Sequence, residues 1–545
     1  MKGKVIVLAF GALTAAAVVA QQAIDFSPAI QAMRSISGKE AFDHAQFLAS
    51  QEMRGRDTAS TEQDIAARYI ANEFRKYGLK PVGDDSTFFQ NFVIEEVELG
   101  QNNRLEITTV FKEKSGHQTQ VSKPFQLGFD FLPARNSETY RIDNAEVVFV
   151  GYSITAPEYK YDDYANIDVT GKVVLALTHE PQEMDTTSVF DKNRDTRYSS
   201  NSLKAAFASH HGAIALLLAT DPRNHPKRKI NRNSWKRLAD PMALVDQRAT
   251  PQLRLRDEEA TIPVFEVGDK VVEELFKNTG TSLLELQKKI DADLKPRPIL
   301  LPRKWVSLQS EVDLVAERNG RNVVGYLKGQ DPIHREEVVV IGAHYDHYGV
   351  NPKGEVFHGA NDNAGGTVTT LEIAQAFTAS PVKPKRSLLF IAFTGEELGL
   401  WGSRYYADHP IFPMEKTVAM LNLDVMSRDD SYKKEGDTLH TTIFFANVSP
   451  ELKRINEEAV RQVGQPLKIT FSDWLLARSD HAPFFWKGVP VLFYAGGPSS
   501  GGHSPQDVAD KLNPAEMEAI GRLTFLTAWA VGYNLITPAI SLPAK

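Results

Sequence analysis

The residues with chemical capacity gather where apolar runs stop. Val338–Ile341 leads into Gly342-Ala-His344-Tyr-Asp346-His347, and Leu388–Phe393 leads into Thr394-Gly-Glu396-Glu397. Val418–Leu423 is followed at once by Asp424, and Val489–Tyr494 by the glycine-rich loop Gly496-Gly-Pro-Ser-Ser-Gly-Gly-His503. Between the first two lies Gly359-Ala-Asn-Asp362-Asn-Ala-Gly-Gly366. Each feature is commonplace alone: a strand-end His is usually structural, adjacent glutamates decorate solvated helices, and Asp-Asn-Ala-Gly caps many helices. Together they place potential metal ligands and bases at strand ends and in glycine-rich loops, with none on a helix face. Buried carboxylates this close repel one another unless cations compensate. The chain has no cysteine, so a metal here is held by His, Asp or Glu. The chemistry is metal-assisted hydrolysis of a carbonyl compound.

Something must bring those ends to one edge. From about residue 300, continuous apolar strands alternate with helices predicted at 364–379 and 449–463. A last helix opens on Asn513 as cap, Pro514 in the first turn and Glu516 at the third position. This alternation predicts an α/β fold with a mainly parallel sheet covered on both faces, and such sheets bind ligands at the carboxyl ends of their strands. Earlier, residues 60–78 read as an amphipathic helix with Ser60 and Gln63 as a capping-box pair. From about residue 100 the texture is strand-like, as in Ala145–Val150 and Lys172–Leu177, with a helix-like stretch at Ser202–His211 before the apolar run Ala213–Leu218. Residues 222–238 are basic but contain Pro226 and lack amphipathic order, which reads as an exposed loop.

Composition sets the outer limits. At ~150 residues per domain, 545 residues imply more than one domain. With 42% hydrophobic and 24% charged residues the chain has material for a large core, which excludes a disordered or collagen-like protein. A formal charge of −7 gives no basic field for nucleic acid. Lys2 and Lys4 precede an apolar run, Val5–Ala20, with small residues Val18 and Ala20 before Gln21. That is the layout of a signal peptide. The run has 16 residues, short of the ~20 that span a bilayer, so the expectation is cleavage and export to the periplasm or medium. No cysteine follows to carry a lipid, and no stable membrane insertion is expected of the mature chain.

The set His344-x-Asp346, Asp362-Asn363, Glu396-Glu397, Asp424 and His503 resembles the M28 family of two-zinc exopeptidases, over residues 335–510. The 60–78 helix is similar to the family's first helix. Residues 101–300 resemble the protease-associated (PA) domain inserted in many members, through segments such as Asp168-Val-Thr-Gly-Lys-Val-Val. The resemblance implies a zinc exopeptidase fold: signal peptide 1–20, peptidase domain 21–100 and 301–545, and a β-rich PA-like insert 101–300. It implies one zinc on His344 and Asp424, a second on Glu397 and His503, and Asp362 bridging them. Three liganding carboxylates against two divalent ions leave one positive charge, which a bridging hydroxide neutralises. Glu396 is then the proton shuttle. Asp346 is expected to accept the other N–H of His344, and Asp507 that of His503. The glycines 496–502 are expected to turn the chain so that it presents His503.

The implied activity is that of an aminopeptidase. Rivals are a carboxypeptidase or glutaminyl cyclase of the same architecture, and a non-catalytic binding ectodomain, which intact ligands and Glu396 disfavour. Gly497-Pro-Ser499-Ser-Gly501 matches a nucleophile-elbow string, but Gly-Gly-His-Ser-Pro follows where a helix is required. Ser479-Asp480-His481 has the residue types of a triad, yet three adjacent residues cannot align as one. With Phe484 it resembles a Ser-Asp-His-x-x-Phe segment near family active sites. Some members carry Tyr three residues before that Ser; here Leu476 stands there, which leaves Arg478 and Tyr494 as candidates to steady the oxyanion.

Overall fold

The structure is a computed structural model, and it describes residues 24–112, 117–134, 139–185, 187–190, 196–226, 229–230, 252–256, 262–427, 439–472, 478–496 and 503–541. The expected signal peptide, much of the basic stretch, Leu476 and the glycines 497–502 lie outside these residues.

Four parallel strands form the centre of a ten-stranded sheet, in the order Ser387–Phe393, Val338–His344, Thr417–Leu423 and Val491–Ala495. They are mostly apolar because both faces are covered. Val339, Ile341 and Ala343 pack into a core shared with the helices Gly38–Leu48, Gly365–Ala379 and Pro514–Gly532, whereas Val338 and Val340 pack into the core on the other face. Side chains alternate across a strand, so a polar residue inside one needs a buried partner, as Asn422 has in Ser479. Antiparallel strands flank this centre, and at the far edge Leu439–Phe444 pairs parallel with Leu467–Ser472. The long strand Val312–Leu327 runs antiparallel to Ser387–Phe393, and Leu439–Phe444 antiparallel to Val491–Ala495.

The helix starts follow their caps. Asn513 accepts the N–H groups of Ala515 and Glu516 at the head of Pro514–Gly532. Ser60 accepts from Gln63 at the head of Thr61–Lys76. The reciprocal half of that expected capping box is rerouted: the Gln63 carbonyl accepts the N–H of Ala59 and its amide donates to Thr394. A side chain that could have closed a local cap instead ties this helix to the strand end that leads to Glu396.

A second, eight-stranded sheet occupies most of residues 104–310. Tyr140–Gly151, Val173–Leu177, Ala215–Ala219 and Val264–Val267 are parallel neighbours, with helices Asn201–His210, Asp269–Phe276 and Leu283–Asp293 around them. Its strand Ile299–Ser310 crosses the expected junction at residue 300. In between, Leu253–Leu255 returns to the first sheet and pairs with Phe89–Leu99. No described helix is long and apolar enough to cross a membrane.

Candidate metal centre

The four central strands deliver their polar residues to one edge. His344 is the last residue of its strand, Asp424 follows Leu423 directly, and Glu396 and Glu397 stand in the turn after Phe393. Asp362 lies in the turn Ala360–Ala364 that opens the helix Gly365–Ala379, where the Asp362–Asn363 peptide is cis. Asn363 locks this turn: its amide donates to the Leu423 carbonyl and its oxygen accepts the Gly366 N–H, both at 2.9 Å. Gly359 precedes it at φ +58°, and a Cβ there would lie 2.4 Å from the Asp362 carbonyl oxygen. Only glycine meets both conditions.

Asp362 stands between two imidazoles. Its Oδ1 lies 3.3 Å from His344 Nε2 and its Oδ2 3.0 Å from His503 Nε2. Asp424 Oδ1 is 3.4 Å from His344 Nε2, and Glu397 Oε2 is 3.5 Å from His503 Nε2. Zinc bonds of about 2.0–2.2 Å set tetrahedral donor separations of roughly 3.3–3.6 Å, and these contacts cluster there. His344 Nε2 and Asp424 Oδ1 are buried and make no hydrogen bond. Buried polar atoms left this way are costly unless something else satisfies them, so the donor set fits divalent cations.

The electrostatics carry the same surplus of negative charge. Burial opposes a charged His344, yet Asp424 and Glu396 hold its pKa well above the ordinary imidazole value. Burial raises the Glu397 carboxyl to about 8, helped by Asp362. It also drives Glu396 well above the carboxylate range, with Glu397, Asp424 and Asp480 adding to the rise against the pull of His344. Asp362 goes the other way despite its burial, held low by His344 and His503.

Asp346 and Asp507 also hold the backbone around the site. The Asp346 carboxylate stands 3.7 Å from His344 Nδ1, and the Asp346 carbonyl is the nearer contact at 3.3 Å. Its oxygens accept from the Thr58 hydroxyl at 3.0 Å and from the N–H groups of Glu396 and Glu397 at 3.2 and 3.4 Å. Asp346 therefore fixes the turn that carries the two glutamates. Asp507 accepts the N–H groups of Asn361 and Asp362 at 2.9 and 3.0 Å. Its hydrogen bonds thus support the Asp362 turn, the element expected to bridge the metals.

Ser479 donates to Asp424 at 2.8 Å and accepts from Asn422 at 2.7 Å, which orients that carboxylate. Tyr494 is buried with its hydroxyl on Asn456, so it is committed to the core and is no oxyanion partner. Three residues escaped the sequence reading. His347 Nδ1 lies 2.6 Å from Glu397 Oε1, and burial lowers its pKa to about 4, so it is a neutral imidazole with donor capacity. Tyr348 packs edge-on against His503, centroids 4.6 Å apart. Arg56 is fully buried and donates to the carbonyls of Leu48, Tyr345, His358 and Gly359. His347 adjoins the His344 motif and could have been flagged; Arg56 carried no spacing signal.

Comparison with known proteins agrees with this geometry. Aminopeptidase YwaD of Bacillus subtilis is 28% identical over 216 residues, 38% of this chain and 43% of its own length. A probable leucine aminopeptidase of Trichophyton verrucosum is 30% identical over 211 residues, 37% of this chain and 56% of its own. The chain thus spans about half the length of these curated relatives. An aminopeptidase structure from Aneurinibacillus sp. strain AM-1 shares the fold, with a TM-score of 0.50 at 19% identity, over 94% of this chain and 99% of that one. Residues 322–528, which contain the whole cluster from His344 to His503, match the family model of peptidase family M28.

Proposed function

We propose that the chain is an exported, zinc-dependent exopeptidase that removes amino-terminal residues from peptides. The observation that carries this reading is Asp362, whose two carboxylate oxygens each face a different imidazole, at 3.3 and 3.0 Å. In this reading His344 and Asp424 hold one zinc, Glu397 and His503 hold the other, and Asp362 serves both. Bound zinc acidifies water and polarises the scissile carbonyl. Glu396 takes the proton from the attacking water and returns it to the leaving amine. Its buried setting suits that task, because a carboxyl pushed well above its ordinary range holds a proton firmly. Asp346 keeps Glu396 in place through its N–H.

The amino-terminal direction of cleavage rests on the aminopeptidase names of the relatives. The eight-stranded region is read as a PA-like insert that guides substrate entry, and residues 1–20 as the signal that sends the protein to the periplasm or medium. A single sample of the full chain assayed on aminoacyl, carboxyl-terminal and amino-terminal glutamine substrates separates the possible activities. The expected result is cleavage of aminoacyl substrates, abolished by chelation and restored by zinc. Cleavage confined to carboxyl-terminal substrates, cyclisation of glutamine alone, or full activity in the chelated chain would overturn the reading.

A further inference from the structure

The eight-stranded region carries a second set of metal donors, remote in sequence from the peptidase cluster. His179 follows the strand Val173–Leu177 and Asp221 follows its parallel neighbour Ala215–Ala219, so both stand at the carboxyl ends of adjacent strands. Each begins a five-residue segment that ends on another donor: His179-Glu-Pro-Gln-Glu183 and Asp221-Pro-Arg-Asn-His225. One ligand atom from each of His179, Glu183, Asp221 and His225 lies within 4.8 Å of the others.

The separations suit a single small cation. Asp221 Oδ2 is 3.0 Å from His179 Nδ1 and 3.7 Å from His225 Nε2, and His225 Nε2 is 2.9 Å from Glu183 Oε1. These bracket the roughly 3.3–3.6 Å between donors on a tetrahedral zinc. The two imidazoles stack with centroids 4.0 Å apart, an arrangement that two protonated rings would oppose and two neutral ligands tolerate. Two carboxylates balance one divalent ion, with both imidazoles neutral.

The donors are also held from behind. Asp221 is fully buried, and its other oxygen, Oδ1, accepts from the Asn224 N–H at 2.8 Å and from Gln287 Nε2 at 3.1 Å. That leaves Oδ2 turned toward the histidines. The Asn224 amide donates to Glu183 Oε2 at 3.2 Å. Outer partners of this kind orient metal ligands. His179 holds a left-handed backbone, φ +58°, which is uncommon for a residue with a side chain. A cavity of about 330 Å³ lies alongside, lined by Glu183, Asn224 and Arg223.

We infer that His179, Glu183, Asp221 and His225 form a separate, structural metal site for a zinc-like divalent ion, one that clamps the ends of two neighbouring strands. All four protein ligands are present, so no open position is left for substrate and the site is structural.

The test is a metal count on the full chain, loaded with zinc, passed through gel filtration and analysed for metal. The double variant His179→Ala/His225→Ala is expected to retain one zinc fewer per chain than the unaltered protein. That difference does not depend on how many ions the peptidase cluster holds. An equal zinc content in both proteins overturns the inference. Should the double variant fail to fold, anomalous scattering at the zinc edge from zinc-soaked crystals of the unaltered chain decides the matter. A peak between His179 and His225 supports the site, and its absence beside occupied peptidase ligands overturns it.

Discussion

The Asp507 carboxylate accepts the backbone N–H of Asp362 at 3.0 Å. A residue 145 positions away in sequence thereby fixes the turn whose side chain faces both imidazoles. Asp507 touches Asp362 through the backbone alone, so its loss removes orientation and leaves every donor in place. Asp507→Ala is expected to fold and to weaken zinc binding by about 10–100-fold, the usual scale for an outer-shell partner. Competition with a chelator of known affinity measures this, and unchanged zinc affinity would show that the turn holds its shape unaided.

Glu396 makes the complementary case. It follows Gly395 into the turn held by Asp346, and it is surrounded by Glu397, Asp424 and Asp480. Glu396→Gln keeps the shape and removes the proton acceptor. The variant is expected to bind zinc like the unaltered chain while kcat falls by about 10²–10⁴-fold. Zinc content and kcat, measured on one preparation, separate the two effects. A Gln variant with ordinary turnover would remove Glu396 from the mechanism.

How much of this was legible follows from where each residue finds its partners. The central strands could be read because burial on both faces demands nearly continuous apolar runs, and the polar residues that follow each run mark the sheet edge. His344, Glu396, Glu397 and Asp424 were visible for that reason, and Asp362 and His503 through the glycine-rich segments that carry them. Asp346 and Asp507 were visible as carboxylates, but their support of the backbone was not. Both accept backbone N–H groups, and a backbone donor has no residue type for spacing to reveal. Arg56 was hidden more completely, since all four of its acceptors are main-chain carbonyls. The second metal cluster went unnoticed because its two half-motifs lie about forty residues apart and meet only when two parallel strands pair.

The helix beneath the site contains a titration that stability should report. Glu372 is 1% exposed, and burial pushes its carboxyl up to about 7, with Glu40 and Glu518 adding to the rise against a hydrogen bond from the Ser37 N–H. The unfolded chain ionises this group near 4.5. Its contribution to stability is therefore complete below about pH 4.5 and is lost as pH rises through about 7. Glu372→Gln cannot ionise and escapes that loss. Relative to the unaltered chain it should gain about 3 kcal/mol between about pH 4 and about pH 8. Paired denaturation curves at each pH cancel effects common to both proteins, metal loss included. A difference that stays flat with pH would place Glu372 in a more solvated setting.

Arg56 provides the strictest test of how the loops around the site are held. Its guanidinium donates to the carbonyls of Tyr345, His358 and Gly359 at 2.8 Å and of Leu48 at 2.5 Å, which joins the first helical region to the segments flanking His344 and Asp362. Burial lowers its pKa to about 10, opposed by Asp507, Asp346 and Asp362 nearby, so the side chain stays charged at neutral pH. Lysine preserves that charge but lacks the planar fork that reaches four acceptors at once. At about 1–3 kcal/mol for each buried carbonyl left unpaired, Arg56→Lys is expected to lose at least about 3 kcal/mol of stability. Because the freed carbonyls border His347 and Gly359, zinc should also dissociate at a lower temperature than in the unaltered chain. Thermal unfolding followed together with zinc release from one sample checks both effects. Unchanged melting in the Lys variant would mean that charge, rather than the fork of hydrogen bonds, is what these loops require.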